Sequence, residues 1–130
     1  MGECHDSMVK FKTLVIGASI NPERYAYKAV NLLVKNEIEV VPMGVKPGLV
    51  ANLSIVSPFI VQVNIHTITL YIGASKQEPY FNFILKINPK RVLFNPGTEN
   101  PKLAKLLNEK GIIWENACTL VLLSTNQYKT

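Results

Sequence analysis

Cysteine is scarce in this sequence: Cys4 and Cys118 are the only two among 130 residues. They lack the density of a disulfide scaffold and the spacing of metal ligands, so free thiols and no metal site are expected. Charged residues are also few, at 18%, which excludes the composition of a disordered, highly charged chain. Long apolar runs are missing. Each is broken by polar residues within about ten positions, short of the ~20 that span a bilayer, so no membrane partner is expected. The start, MGECHDSMVKFK, has neither an apolar signal core nor a small-residue cleavage site, and a cytoplasmic location is expected. The G-x-G-x-x-G dinucleotide fingerprint is absent as well.

What is present is a large apolar fraction, 48% hydrophobic residues, enough to fill the core of one domain covering residues 1–130, with residues 1–11 as a loosely ordered tail. The formal net charge of +5 favours anionic partners. Lys and Arg are scattered, with no basic run beside exposed aromatics, so phosphorylated small molecules fit this balance better than nucleic acid.

Strand and helix patterns alternate along the chain. Residues 12–17, KTLVIG, read as a buried parallel strand closed by glycine. From about Tyr25 to Asn36, Ala26, Ala29, Val30, Leu32 and Leu33 recur at three- and four-residue intervals and give a helix one apolar face. Ile38–Gly44 is the second strand. Val45 to Asn64 has neither period and reads as a loop around one short strand near Leu53–Val56. Thr67–Gly73 is a third main strand by its β-branched content. A helix opens at Pro79 and stops before Pro89, and RVLFNPG is the fourth strand with its exit loop. Asn100 and Pro101 fit the N-cap and first position of a further helix that ends at Gly111. IIWEN closes the sheet, and Thr119–Gln127 forms a last helix or strand. The fold expected is α/β, a Rossmann-like doubly wound parallel sheet of about five strands in three layers.

In such sheets ligands lie beyond the carboxyl ends of the strands, where the winding reverses. A strand order of 3-2-1-4-5 puts the reversal between the first and fourth strands. There GASINPER after the first strand and NPGTEN after the fourth converge, each leading into a helix N-terminus with unsatisfied N–H donors. Gly17 permits the tight turn, Ser19 offers a hydroxyl and an amide, and Arg24 supplies a planar charged fork suited to phosphate. Tyr25 is close enough to the turn to join them. The second strand ends VVPMGVK, with Lys46 where an acid would hold a ribose diol. That disfavours NAD and suits a phosphorylated ribose, as in coenzyme A or NADP.

These residues resemble the small stand-alone CoA-binding proteins related to the nucleotide-binding domain of succinyl-CoA synthetase. The resemblance rests on Gly17-Ala18-Ser19, Pro22-Glu23-Arg24, Val40-Val41-Pro42, Asn95-Pro96-Gly97 with Asn100, and Cys118, and spans roughly residues 12 to 122. It implies that Ser19 and Arg24 meet a pyrophosphate, that Val41, Pro42 and Ile72 border the adenine, and that Asn95, Pro96 and Gly97 lie against the pantetheine arm. Lys46, by its charge, is placed near the 3′-phosphate. The chain departs from the family pattern at Asn95, which replaces a glutamine, at Pro101, at Asn116-Ala117-Cys118 in place of Asp-Arg-Cys, and at Leu122.

No general base is evident. His5 falls in the tail, and His66, just before a strand, reads as a hydrogen-bonded structural residue. Glu99 is an acid–base candidate, but also the acid expected at a helix start. Cys118 reads either as a small buried hydrophobe or as a thiol able to exchange with that of CoA. The sequence therefore points to a non-enzymatic binder of coenzyme A or an acyl-CoA, a sensor, carrier or partner of a separate enzyme, with a protein partner or homo-oligomer in view. Its rivals are an NADP-dependent oxidoreductase, a CoA-linked transferase and an interaction domain with a vestigial crevice.

Overall fold

A computed structural model describes residues 10–129; Cys4, His5 and most of the expected tail lie outside the described residues. Five parallel strands form the main sheet: β1 (Thr13–Ile16), β2 (Val40–Met43), β5 (Thr67–Leu70), β6 (Arg91–Phe94) and β7 (Ile113–Asn116), in the order β2-β1-β5-β6-β7. β1, β5 and β6 are wholly buried, as the inner strands of a parallel sheet covered on both faces are, with Thr13, Thr67, Thr69 and Arg91 the polar residues among them.

The helices are α1 (Tyr25–Lys35), α2 (Phe81–Ile87), α3 (Pro101–Glu109) and α4 (Thr119–Ser124). Period 2 in the strands sends alternate side chains to opposite faces, and each face has its own core. Leu14, Ile16, Ile68, Leu70, Val92 and Phe94 pack with Ile84 of α2 and Leu103 and Leu107 of α3. Val15 and Leu93 pack with Ala26, Val30 and Leu33 of α1 and with Leu123 and Tyr128. This is the three-layer, Rossmann-like α/β architecture. The Asn100 side chain accepts from the backbone N–H groups of Lys102 and Leu103 and caps α3, with Pro101 in its first turn.

The strand order differs from the expected 3-2-1-4-5. The third main strand, β5, lies beside β1, not outside β2. The segment after β2 holds no helix. It forms a hairpin of β3 (Leu49–Val50) and β4 (Leu53–Ser54), turned through Ala51 and Asn52 at φ 52 and 64°, where a single short strand was expected. Val56 then bonds to the outer edge of β2: its N–H donates to the Pro42 carbonyl at 2.9 Å and its carbonyl accepts from Gly44 at 3.0 Å. With that edge taken, the chain pairs next on the free side of β1. Pro42, inside β2, is tolerated because β2 is the last strand of the main sheet. The stretch opening at Pro79 also differs, as it begins with 3-10 turns at Ala74–Lys76 and Glu78–Tyr80 before α2.

Candidate functional site

The winding reverses between β1 and β5, so the crevice opens where Gly17 and the segment from Tyr71 to Gly73 leave the sheet. A cleft of about 560 Å³ lies there. Of the residues singled out in the sequence it gathers Gly17, Ala18, Ser19, Arg24, Tyr25, Lys46, Pro96 and Gly97. The NPG loop reaches the cleft despite the changed strand order, because β6 follows β5 directly.

Local backbone explains the entrance. Gly17 has φ +98°, and a Cβ there would lie 2.9 Å from Ile72 Cγ2 and 3.0 Å from the Tyr71 carbonyl carbon. The Gly17 and Ala18 amides both donate to the Met43 carbonyl at 2.9 Å, tying the loop to β2. Ser19 Oγ accepts from the Asn21 amide, and Asn21 Oδ1 from the Glu23 amide, each at 3.0 Å. This chain of small turns delivers α1 with Arg24 at its N-cap, no capping side chain and no acid in its first turn. Uncapped first-turn N–H groups carry partial positive charge, and Tyr25 and Ala26 from that turn line the cleft. Arg24 and Lys46, both exposed, add two full charges, against Glu23 on the same wall. The arrangement suits an anion held by backbone amides and a guanidinium.

The remaining singled-out residues stand around the cleft, not on its lining. Pro22 faces a separate groove between α1 and α4. Val41 packs against the core, Pro42 is buried, and Ile72 closes on Gly17. Asn95 is buried, donating from Nδ2 to Thr69 Oγ1 at 2.6 Å and to the Leu70 carbonyl at 2.8 Å, while Oδ1 accepts from the Thr119 amide at 2.8 Å. It pins the end of β5 to the start of α4. Asn100, besides capping α3, donates to Gln77 Oε1 at 3.0 Å. Cys118 is a free, half-buried thiol at the N-cap of α4.

Gln77 escaped notice in the sequence. It is fully buried and donates from Nε2 to the carbonyls of Ile72 at 2.9 Å and Thr98 at 2.7 Å, lacing together the two loops that wall the cleft. A polar residue between 3-10 turns carries no periodicity that marks it. Tyr71, also missed, forms part of the wall. Burial pushes its phenol well above the usual range, and its hydroxyl lies near Thr119 and Thr69 without a hydrogen bond of good geometry. Glu99 accepts the Gly97 amide at 3.0 Å, so it orders the NPG loop. His66 Nδ1 pairs with Thr67 Oγ1 at 2.7 Å, at the opposite end of β5 from the cleft. Among the described residues no group of His, Cys, Asp and Glu has a metal-binding arrangement, and no helix is long and apolar enough to cross a membrane.

A doubly wound sheet with a cleft at its switch point is the architecture in which nucleotide-binding domains place their ligands. Within that class the chain belongs to the CoA binding domain family, whose sequence profile matches residues 12–124. Among solved structures, one described as an uncharacterized protein is 43% identical, with a TM-score of 0.87, covering 89% of this chain and 96% of its own. A hypothetical protein from Pyrococcus horikoshii is 24% identical, with a TM-score of 0.80 over 95% of this chain and 89% of its own. A Thermus thermophilus protein is 20% identical, with a TM-score of 0.78 and 97% of both chains covered. The latter two share the fold. No curated protein matches.

Proposed function

We propose that the cleft between β1 and β5 binds coenzyme A or an acyl-CoA, and that the chain acts as a non-catalytic CoA-binding domain: a sensor, carrier or partner of a separate enzyme. The observation that carries this reading is one cleft, in a chain of the CoA binding domain family, bringing together the Gly17 turn, the uncapped start of α1, Arg24 and Lys46. Its volume of about 560 Å³ falls in the range of small-molecule sites.

The residues present fit the ligand's chemistry. Arg24, Ser19 and the first-turn amides of α1 suit the pyrophosphate, and Lys46 the 3′-phosphate. Ile20, Val45 and Tyr71 offer apolar surface on the lining for the adenine. Pro96 and Gly97 border the path of the pantetheine arm, with Asn95 holding that loop from below. Calorimetric titration with CoA, acetyl-CoA, NADP and NAD tests the assignment. Saturable binding of CoA or acetyl-CoA in preference to both dinucleotides supports it, whereas preference for NADP overturns it.

A further inference from the structure

The amino end of the sheet, opposite the cleft, holds a second concentration of cations. Parallel pairing sets Thr67 against Thr13 and Arg91 against Thr67, so the residues preceding these strands collect at one end. Lys10 precedes β1, His66 precedes β5 and Lys90 precedes β6. A hollow of about 350 Å³ lies among Lys10, His66 and Lys90, with Asn64 and Asn88 as further polar lining and no acid on it among the described residues. Of the acids at this end, Glu39 before β2 sits 3.7 Å from Lys12, whose ammonium also donates to the Val63 carbonyl.

Arg91, next to Lys90, is 8% exposed. Its Nε donates to Thr67 Oγ1 at 3.0 Å and its guanidinium lies 4.5 Å from the Tyr128 ring centroid, yet Nη2 is buried with no hydrogen-bond partner among the described residues. A buried guanidinium with no carboxylate partner among the described residues adds a positive field at this end of the sheet. His66 registers that field: burial first, then Arg91 and Lys90, push its pKa down. The phosphate chemistry of the cleft uses none of these groups.

We propose that the amino end of the sheet carries a second binding site, for a small oxyanion such as a phosphate group, formed by Lys10, His66 and Lys90, with the buried Arg91 joined to His66 through Thr67 Oγ1. Asn64 and Asn88 complete the polar lining. The bound anion neutralises the field at His66 and favours its protonated ring.

The test is NMR titration of His66, assigned against His66→Gln, with inorganic phosphate and with chloride at matched ionic strength. Phosphate is expected to move the His66 ring signals saturably and raise the pH midpoint of the ring. Lys90→Ala, at an exposed position, is expected to weaken the response about tenfold, and Lys10→Ala/Lys90→Ala to abolish it. Arg24→Ala, in the other cleft, should leave it intact, which separates this site from the CoA assignment. His66 signals that do not move with phosphate, or that move equally in the double variant, overturn the proposal.

Discussion

A side chain at Gly17 would lie 2.9 Å from Cγ2 of Ile72, closer than real Cβ atoms approach. The first loop of the sheet and the exit of β5 thus touch backbone to side chain at the floor of the cleft, and only glycine keeps that approach open.

Gly17→Ala combines this clash with a left-handed φ. The expected result is a loss of about 1–3 kcal/mol of stability, together with weakened CoA binding from a displaced Ser19 loop. Denaturant unfolding with a parallel titration checks both.

Arg24→Ala should leave unfolding unchanged, because the side chain is exposed and caps nothing. CoA affinity should fall about ten- to a hundredfold, since a charge-assisted bond contributes roughly 1.5–3 kcal/mol. Calorimetry at two salt concentrations reads the loss, and an affinity equal to that of the unaltered protein removes Arg24 from the phosphate contact.

Asn95→Ala removes three hydrogen bonds at once and takes a buried partner from the Leu70 carbonyl and the Thr119 amide, while Thr69 Oγ1 keeps its bond to Thr119 Oγ1. Each stranded group costs about 1–3 kcal/mol. We expect marked destabilisation and faster amide hydrogen exchange at the start of α4, measured against Asn100→Ala, whose loss centres on the α3 cap.

His66 gives stability a sign with pH. Its ordinary pKa of 6.5 is lowered in the fold, by burial first and then by Arg91 and Lys90. As pH falls below 6.5 the unfolded chain takes up the proton before the folded one, so stability drops, and the loss is complete below the folded midpoint. Denaturation midpoints at about pH 7.5 and about pH 5.5 should therefore differ less in His66→Gln than in the unaltered chain.

Much of this was legible in the residues. The buried strands declared themselves through unbroken β-rich runs, α1 through its apolar period, and α3 through Asn100, Pro101 and Gly111, because these signals act over one turn or one pleat. Gly17, Arg24 and the NPG loop could be singled out because tight turns and phosphate contacts demand particular residue types. Gln77 and Tyr71 could not, since each takes its importance from partners distant in the chain, as in the Gln77 bond to Thr98. The polar stripe on the α1 and α4 side was hidden for the same reason. Thr13 meets the Tyr128 hydroxyl at 2.6 Å, Thr69 meets Thr119 at 2.7 Å, and Arg91 meets Thr67 at 3.0 Å.

By itself the sequence determined the alternation of strand and helix, the two-faced core and the chemistry of the first loop, all set by local sterics and burial. Tertiary structure decided the strand order. Residues 45–64 form a hairpin and a bridge at Val56 that occupy the outer edge of β2, so β5 pairs with β1 and the switch point falls between β1 and β5. Such pairing depends on which backbone edge is free once earlier strands have docked, and no short stretch of residues encodes it.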